Sequence, residues 1–163
     1  MAHKVMPASL SEDPQDLYAR DYHAWALDQA RALRDRRPDA LDWDGLAEEL
    51  EDLARSEARS LKSQLARLLA HLLKWQLQAA LRTRSKRTAN SWRASIEGAR
   101  QEIRDLLDES PGLKRLLPEL FPKAFAMAVN LAGQETGIDK SVFPPRCPWS
   151  FEQVMDENFR PER

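Results

Sequence analysis

The longest regular pattern of apolar positions in the chain covers residues 46–80. Apolar side chains recur there at steps of three or four, and no glycine or proline interrupts the run. This spacing predicts one α-helix, roughly 50 Å long at about 1.5 Å of rise per residue. Because a domain of this size does not need so long a helix, we expect one end to project or to be covered by a partner chain.

The most apolar part of that helix is the segment 61–77. Its apolar side chains cover roughly 240° of the helical circumference, far more than the stripe of an ordinary surface helix. We therefore predict a central helix that other helices surround. The apolar positions are Leu65, Leu68, Leu69, Leu72, Leu73, Trp75 and Leu77, with Ala66 and Ala70.

Shorter helical patterns lie on both sides of the central helix. One predicts a helix over residues 16–36, with Leu17, Trp25 and Leu33 on its buried side. Asp42 follows it as the predicted N-cap of the long helix. The basic residues at the end of the first helix complement the negative end of its dipole. The acids that follow Asp42 complement the positive end of the dipole of the long helix.

The second half of the chain predicts two more helices joined by polar or proline-rich segments. Residues 82–90, RTRSKRTAN, are predicted to form a basic connection, and a helix then runs from about residue 90 to residue 110. Leucines and prolines predict a short helical turn before a helix over residues 119–135. Gly137 is placed to close that helix.

The C-terminal tail carries a signal for a short helix. Ser150 and Gln153 match a capping box, and Trp149 with Val154 matches the hydrophobic staple around it. We therefore predict a helix of one or two turns over residues 151–157. We also expect the tail to dock on the other helices, because it is rich in large aromatic groups. These are Phe143, Trp149, Phe151 and Phe159.

Composition agrees with this reading. The chain has 163 residues, 42% of them apolar and 31% charged, with five glycines and two tyrosines. This favours an all-α fold, which we expect to be a single-domain helical bundle over residues 15–163 with a docked C-terminal tail, after a loose leader at 1–14. The single cysteine, Cys147, excludes an internal disulfide and fits a reducing cytosol. The N-terminus has no apolar run like that of a signal peptide, so we expect a cytoplasmic protein.

A polar stripe lies on the central helix. It consists of Arg67, His71, Lys74 and Gln78. The stripe interrupts the apolar run, which argues against a membrane span. It fits an acid–base or anion site centred on His71, or a structural network that meets an acidic neighbouring helix or solvent. A carboxylate near His71 or Lys74 would favour the structural role, and an open cavity there would favour an enzyme.

Charge is distributed unevenly, although the net charge is only −1. Residues 42–57 hold seven acids and one base, whereas residues 58–96 hold nine bases and no acid. The basic segment fits a phosphate-binding patch with an aromatic group for base stacking, or a solvated loop that meets an acidic protein. The candidate patch consists of Arg82, Arg84, Lys86, Arg87, Trp92 and Arg93.

Recognisable catalytic and metal-binding patterns are missing from the sequence. The carboxylate sites of helical bundles need a glutamate three residues before a histidine, and Leu68 stands at that place before His71. The acids near Glu48 and Asp52 are therefore read as a solvated face, and no metal or cofactor is predicted. Cys147 has no base at a known spacing and is predicted to be inert.

Several segments resemble the family called domain of unknown function 29. They are DYHAWALDQARALR, LDWDGLAEELEDLARSE, HLLKWQ, SWRASI and FPPRCPWSFEQVMDENF. The most specific parts are WALDQA, LDWDGLAEELEDL, HLLKWQ and CPWSFEQV, and the resemblance covers residues 17–161. It implies a compact all-helical domain in a bacterial cytoplasm, and it implies no catalytic residue.

Three hypotheses for function follow. The first is a non-catalytic interaction module that binds a protein partner or another copy of itself, as a dimer for example. The second is a nucleic-acid-associated protein that uses the basic patch. An enzyme or metal-binding bundle with a site near His71 comes last, because it needs a closed cavity that holds His71 with a carboxylate.

Overall fold

The computed structural model describes residues 14–162, apart from the side chains of Gln15 and Arg82. The described residues form seven α-helices and three 3-10 helices, with no strand among them. The α-helices are α1 (Pro14–Arg20), α2 (Tyr22–Arg34), α3 (Trp43–Leu77), α4 (Ala79–Arg84), α5 (Lys86–Glu109), α6 (Leu117–Thr136) and α7 (Phe151–Met155). The 3-10 helices are Pro38–Ala40, Pro111–Leu116 and Lys140–Val142. The predicted all-α class with a long central helix is confirmed.

Contacts within the chain group it into two compact units, Met1–Ala54 and Arg55–Arg163. We call them the N-terminal and C-terminal units, and α3 supplies residues to both. The predicted leader lies outside the described residues except for Pro14, which begins α1. The assignment of residues 15–163 to one domain stays a prediction.

The helix predicted over residues 16–36 is two helices, α1 and α2, so that prediction is wrong. The chain breaks at Asp21, whose carboxylate accepts the backbone N–H of Ala24 at 2.9 Å and caps α2. An aspartate can satisfy backbone groups locally in this way, which competes with a continuous helix. Trp25 is buried as predicted, but Leu33 is 50% exposed, contrary to prediction.

The core of the C-terminal unit is built on the second half of α3. Leu65, Leu69 and Leu73 are completely buried, which confirms the predicted central helix. Helix α6 contributes buried alanines at steps of four, and α5 contributes buried isoleucines. These residues are Ala124, Ala128 and Ala132 on α6, and Ile96 and Ile103 on α5.

Residues 82–90 are mostly helical, so the predicted polar connection is wrong. Helix α4 ends at Arg84, and α5 begins at Lys86, four residues before the predicted start. The only break is Ser85, whose hydroxyl accepts the backbone N–H of Thr88 at 3.2 Å as an N-cap. Arginine, lysine and alanine are good helix formers, and this segment holds no glycine or proline to oppose them.

Helices α6 and α7 are capped by the residues that the sequence predicted, but the start of α6 and the end of α7 differ from the prediction. Helix α6 begins at Leu117, two residues early, and closes at Gly137, whose φ of 69° glycine adopts without steric cost. The capping box of Ser150 and Gln153 is present, but α7 ends at Met155, earlier than predicted. The predicted docking of the tail is confirmed, because its aromatic groups pack against the core.

One buried arginine holds the end of the tail. Arg100 on α5 is completely buried, and it donates to the backbone carbonyl oxygens of Val154, Glu157 and Phe159 at 2.7, 3.3 and 3.0 Å. It also pairs with Glu97 one turn away, at 3.1 Å. The guanidinium thus supplies donors to a carbonyl of α7 and to two carbonyls that follow it, and Arg160 donates to the latter two as well.

Candidate functional site

The polar stripe of α3 contains an ion pair between a buried lysine and an exposed glutamate. Lys74 is only 6% exposed, and its ammonium group donates to the carboxylate of Glu135 on α6. This hydrogen bond is the main reason that the pKa of Glu135 lies below its usual value. The structure therefore places a carboxylate beside Lys74, the feature that the sequence analysis associated with a structural role.

His71 lies half-buried in the same stripe. Burial and the nearby Lys74 ammonium lower its pKa from 6.5 to about 4, so the imidazole is neutral near pH 7. Its Nδ1 is buried without a hydrogen-bond partner among the described residues, and so is Oε1 of Gln64, about two turns earlier on α3. The other members of the stripe differ, since Arg67 is exposed and Gln78 is half-buried.

The basic patch is brought together on α4 and the first turns of α5. Arg84, Lys86 and Arg87 are exposed, and the side chain of Arg82 lies outside the described residues. Trp92 does not stand free for base stacking, because it packs against the core of the C-terminal unit. The guanidinium of Arg93 lies 5.5 Å from the ring centre of Trp75, as a cation–π contact.

The N-terminal unit contains a buried polar network that the sequence analysis missed. The indole N–H of Trp25 donates to Oδ2 of Asp42 at 3.2 Å, and the backbone N–H of Asp42 donates to Oε1 of Gln29 at 2.8 Å. The other carboxylate oxygen of Asp42 accepts the N–H of Gly45 at 3.0 Å, which confirms the predicted N-cap. Trp25 and Asp42, 17 residues apart, both stood out in the sequence, but nothing in it linked them.

A second carboxylate of this unit binds two tyrosines. Both hydroxyls donate to Glu49, from Tyr18 at 2.7 Å and from Tyr22 at 2.8 Å. The bond to Glu49 is the main cause that raises the pKa of Tyr18 to about 12, so the phenol stays protonated. Glu49 is thereby removed from the acidic face that the sequence analysis read as wholly solvated.

One face of the first turns of α3 exposes large apolar groups. Trp43 is 62% exposed, Leu50 is 67% exposed and Leu53 is 61% exposed. Leu46 lies among them at helical spacing and is half-buried. We call these four residues the α3 apolar face. Large apolar groups that are clustered and exposed mark interaction sites more often than scattered ones do.

The C-terminal unit contains a large groove between α6 and the tail, which the sequence analysis did not foresee. Its volume is about 1040 Å³, and its lining includes Phe125, Phe143 and Trp149, with Cys147 and the exposed Arg146. Burial raises the pKa of the Cys147 thiol, which supports its predicted lack of nucleophilic activity. His71 is not part of the lining. The sequence predicted that the aromatic tail docks on the helices. It did not predict the groove, because the groove forms between the docked tail and α6 in the folded chain.

Within residues 14–162, no three side chains of histidine, cysteine, aspartate or glutamate are grouped so that they could hold a metal ion. No described helix combines the length and the apolar character that crossing a membrane requires.

The comparison with known proteins agrees with the motifs of the sequence. Neither the curated proteins nor the solved structures contain a match for this chain. A family model, Domain of unknown function DUF29, matches residues 17–160, which include every helix from α2 to α7. The chain therefore belongs to the DUF29 family.

Proposed function

We propose that the protein is a non-catalytic interaction module whose α3 apolar face binds a basic amphipathic helix of a partner protein. The observation that carries this proposal is the exposure of Leu50 and Leu53, at 67% and 61%, on a helix that buries its leucines further along. Burying one such side chain contributes about 1.5–3 kcal/mol, so the face offers real binding energy.

The exposed groups share one side of α3. At about 100° per residue, Trp43, Leu46, Leu50 and Leu53 lie within an arc of roughly 80°. This is the arrangement that receives the i, i+3, i+4 and i+7 positions of a partner helix. The face is therefore shaped to pack against a helix rather than against an extended strand.

Charge distinguishes between the kinds of partner. Residues 42–57 contain seven acids and one base, and Asp44, Glu48 and Glu51 among them are exposed. A second copy that paired through the same face would place two acidic segments side by side, which is unfavourable. A helix with lysine or arginine beside its apolar stripe complements this surface, so we favour a different, basic partner over a homodimer.

The test uses two synthetic helical peptides with the same leucine pattern, one with lysine and one with glutamate at the flanking positions. We expect the full chain to bind the lysine peptide and not the glutamate peptide in a fluorescence anisotropy titration. The double variant Leu50→Ser/Leu53→Ser should weaken binding by at least about tenfold.

A matched control lies on α2, where Leu27 and Leu33 are 54% and 50% exposed. The double variant Leu27→Ser/Leu33→Ser should leave the affinity unchanged. Equal loss in both double variants would mean nonspecific adhesion and would remove the proposal. Sedimentation that shows a dimer dispersed by Leu50→Ser/Leu53→Ser would instead assign the face to self-association.

One observation favours nucleic-acid binding as a second candidate function. Helix α5 begins with Lys86 and Arg87 and has no acid in its first turn. Cations at the positive end of a helix dipole are unfavourable by themselves, and a bound phosphate would offset this. With exposed Arg84 nearby, the patch offers three bases to a phosphate backbone.

The test of this second candidate is a titration of labelled single-stranded DNA at low salt. Binding should weaken steeply as salt rises, and it should be lost in the triple variant Arg84→Glu/Lys86→Glu/Arg87→Glu. The matched control reverses Lys114 and Arg115, two exposed bases on the 3-10 helix Pro111–Leu116. Absence of binding by the wild-type protein at low salt would remove this candidate.

A further inference from the structure

We infer that the groove between α6 and the tail is a binding site for a single-chain amphiphile with a carboxylate head, a fatty acid. This inference does not depend on the proposed function, because the groove lies wholly within the C-terminal unit and the α3 apolar face belongs to the N-terminal unit.

The groove has the size and lining of a small-molecule site. Its volume of about 1040 Å³ is at the upper end of the range for ligand cavities, roughly 300–1,000 Å³. The walls are largely aromatic and aliphatic, with Phe121 and Phe151 in edge contact at 6.3 Å between ring centres. Such walls suit an apolar body and supply few hydrogen bonds to a polar one.

The charges on the lining select the head group. Among the described residues, Lys140 and Arg146 are the charged members of the lining, both are exposed, and no acid lines the groove. A cationic edge on an apolar groove complements one anion attached to an apolar chain. Asn130 provides a neutral polar group at the same groove, which suits a carboxylate and a few bound waters, whereas the Ser150 hydroxyl is engaged in the cap of α7.

The walls are held in place independently of any ligand. Phe125 and Phe143 are 5% exposed and belong to the core, and the capping box at Ser150 secures the start of α7. Arg100 fixes the end of the tail through three carbonyl groups. A site built on such supports keeps its shape before the ligand arrives, which lowers the entropic cost of binding.

Cys147 provides a probe inside the groove, because it is the only cysteine of the chain and lines the cavity. We expect dodecanoate to slow alkylation of Cys147 by iodoacetamide, measured at about pH 9 because burial raises the pKa of this thiol and only the thiolate reacts. The rate of alkylation should fall roughly tenfold when the concentration of dodecanoate is about ten times its Kd, because mainly the unoccupied protein molecules react. Dodecyltrimethylammonium has the same chain and the opposite charge, and it should protect far less.

Ala126 provides a matched pair of variants. It lines the groove from α6 and is exposed, so glutamate and lysine, both good helix formers, can replace it without disturbing the core. Ala126→Glu should weaken dodecanoate binding by roughly fivefold to tenfold, whereas Ala126→Lys should retain or improve it. Thermal melting of both variants verifies that each is folded.

The rim charges are tested in the same assay. Lys140→Gln/Arg146→Gln should raise the Kd for dodecanoate roughly threefold to tenfold, and Lys114→Gln/Arg115→Gln, outside the groove, should not change it. Equal protection by both amphiphiles, or equal affinity of the two Ala126 variants, would overturn the inference. Protection by a free aromatic peptide and not by dodecanoate would assign the groove to a peptide and overturn it as well.

Discussion

Arg100 on α5 donates its Nε–H to the backbone carbonyl oxygen of Val154 in α7 at 2.7 Å, and both residues are completely buried. The planar guanidinium carries five N–H donors, which allows it to reach two further carbonyls of the tail at once. Burial lowers the pKa of Arg100, yet a guanidinium remains charged at any physiological pH. Together with Arg160, this side chain holds the part of the tail that follows the groove.

Replacing this arginine should destabilise the protein strongly. Arg100→Met removes three hydrogen bonds to tail carbonyl groups and leaves the buried carbonyl of Val154 without this donor, whereas Glu97 and the carbonyls of Glu157 and Phe159 keep Arg160 as a partner, so we expect a loss of about 1–3 kcal/mol in the free energy of unfolding. Urea denaturation measures it. Arg104→Met is the control, because Arg104 pairs at 3.3 Å with the exposed Glu157 and should cost less than about 1 kcal/mol. Equal losses in the two variants would contradict the assigned role.

Two glycines should respond to the same substitution with opposite signs. A Cβ added at Gly45 would overlap the Asp42 carboxylate and lie 3.0 Å from Cζ2 of Trp25, whereas at Gly98 it would meet nothing within 4 Å. We expect Gly45→Ala to cost about 1–3 kcal/mol, since the buried network must shift. Gly98→Ala should stabilise α5 by about 0.5–1 kcal/mol. Thermal or urea denaturation decides both signs.

The two parts of α3 should differ in how much stability each leucine provides. Leu69 is completely buried, and Leu69→Ala should cost about 2–5 kcal/mol through lost burial and a residual cavity. Leu50 is 67% exposed, and Leu50→Ala should stay within about 0.5 kcal/mol of the wild type. Denaturation of the isolated protein tests this. A large loss at Leu50 would mean that the α3 apolar face is covered within the chain itself.

His71 should make the protein less stable in mild acid. Its pKa falls from 6.5 to about 4 on folding, so between these values the unfolded chain binds the proton and the folded chain does not. The stability contributed by neutral His71 is therefore present above about pH 6.5 and is lost as the pH falls toward 4. Because the ring is partly exposed, the loss attributable to it is about 1–2 kcal/mol after screening.

The variant His71→Gln isolates this contribution, because Glu135 and other carboxylates with lowered pKa values also weaken the fold in acid. The difference in unfolding free energy between the wild type and His71→Gln should change by that amount between pH 7 and pH 4. NMR titration of the imidazole should place its pKa near 4. A value near 6.5 would contradict the burial described above.

Local signals in the sequence predicted the elements whose chemistry is complete within a few residues. Asp42 caps α3, Ser150 and Gln153 form the capping box, and Leu65 is buried on the central helix, all as predicted. The break at Asp21 was missed because the apolar spacing continues through it, and only the side-chain bond to Ala24 shows that the helix restarts there. Residues 82–90 were predicted to form a connection because they are polar and basic, although basic side chains do not oppose a helix.

Sequence alone determined the all-α class, the central helix and the family, because helical periodicity, capping residues and motifs are properties of neighbouring positions. The tertiary structure decided which polar and apolar groups meet across the chain. It pairs Lys74 with Glu135 and Trp25 with Asp42, leaves Leu50 exposed, and opens a groove beside the tail. These contacts depend on how the helices pack, because the distance between residues far apart in the sequence is fixed only when the chain folds.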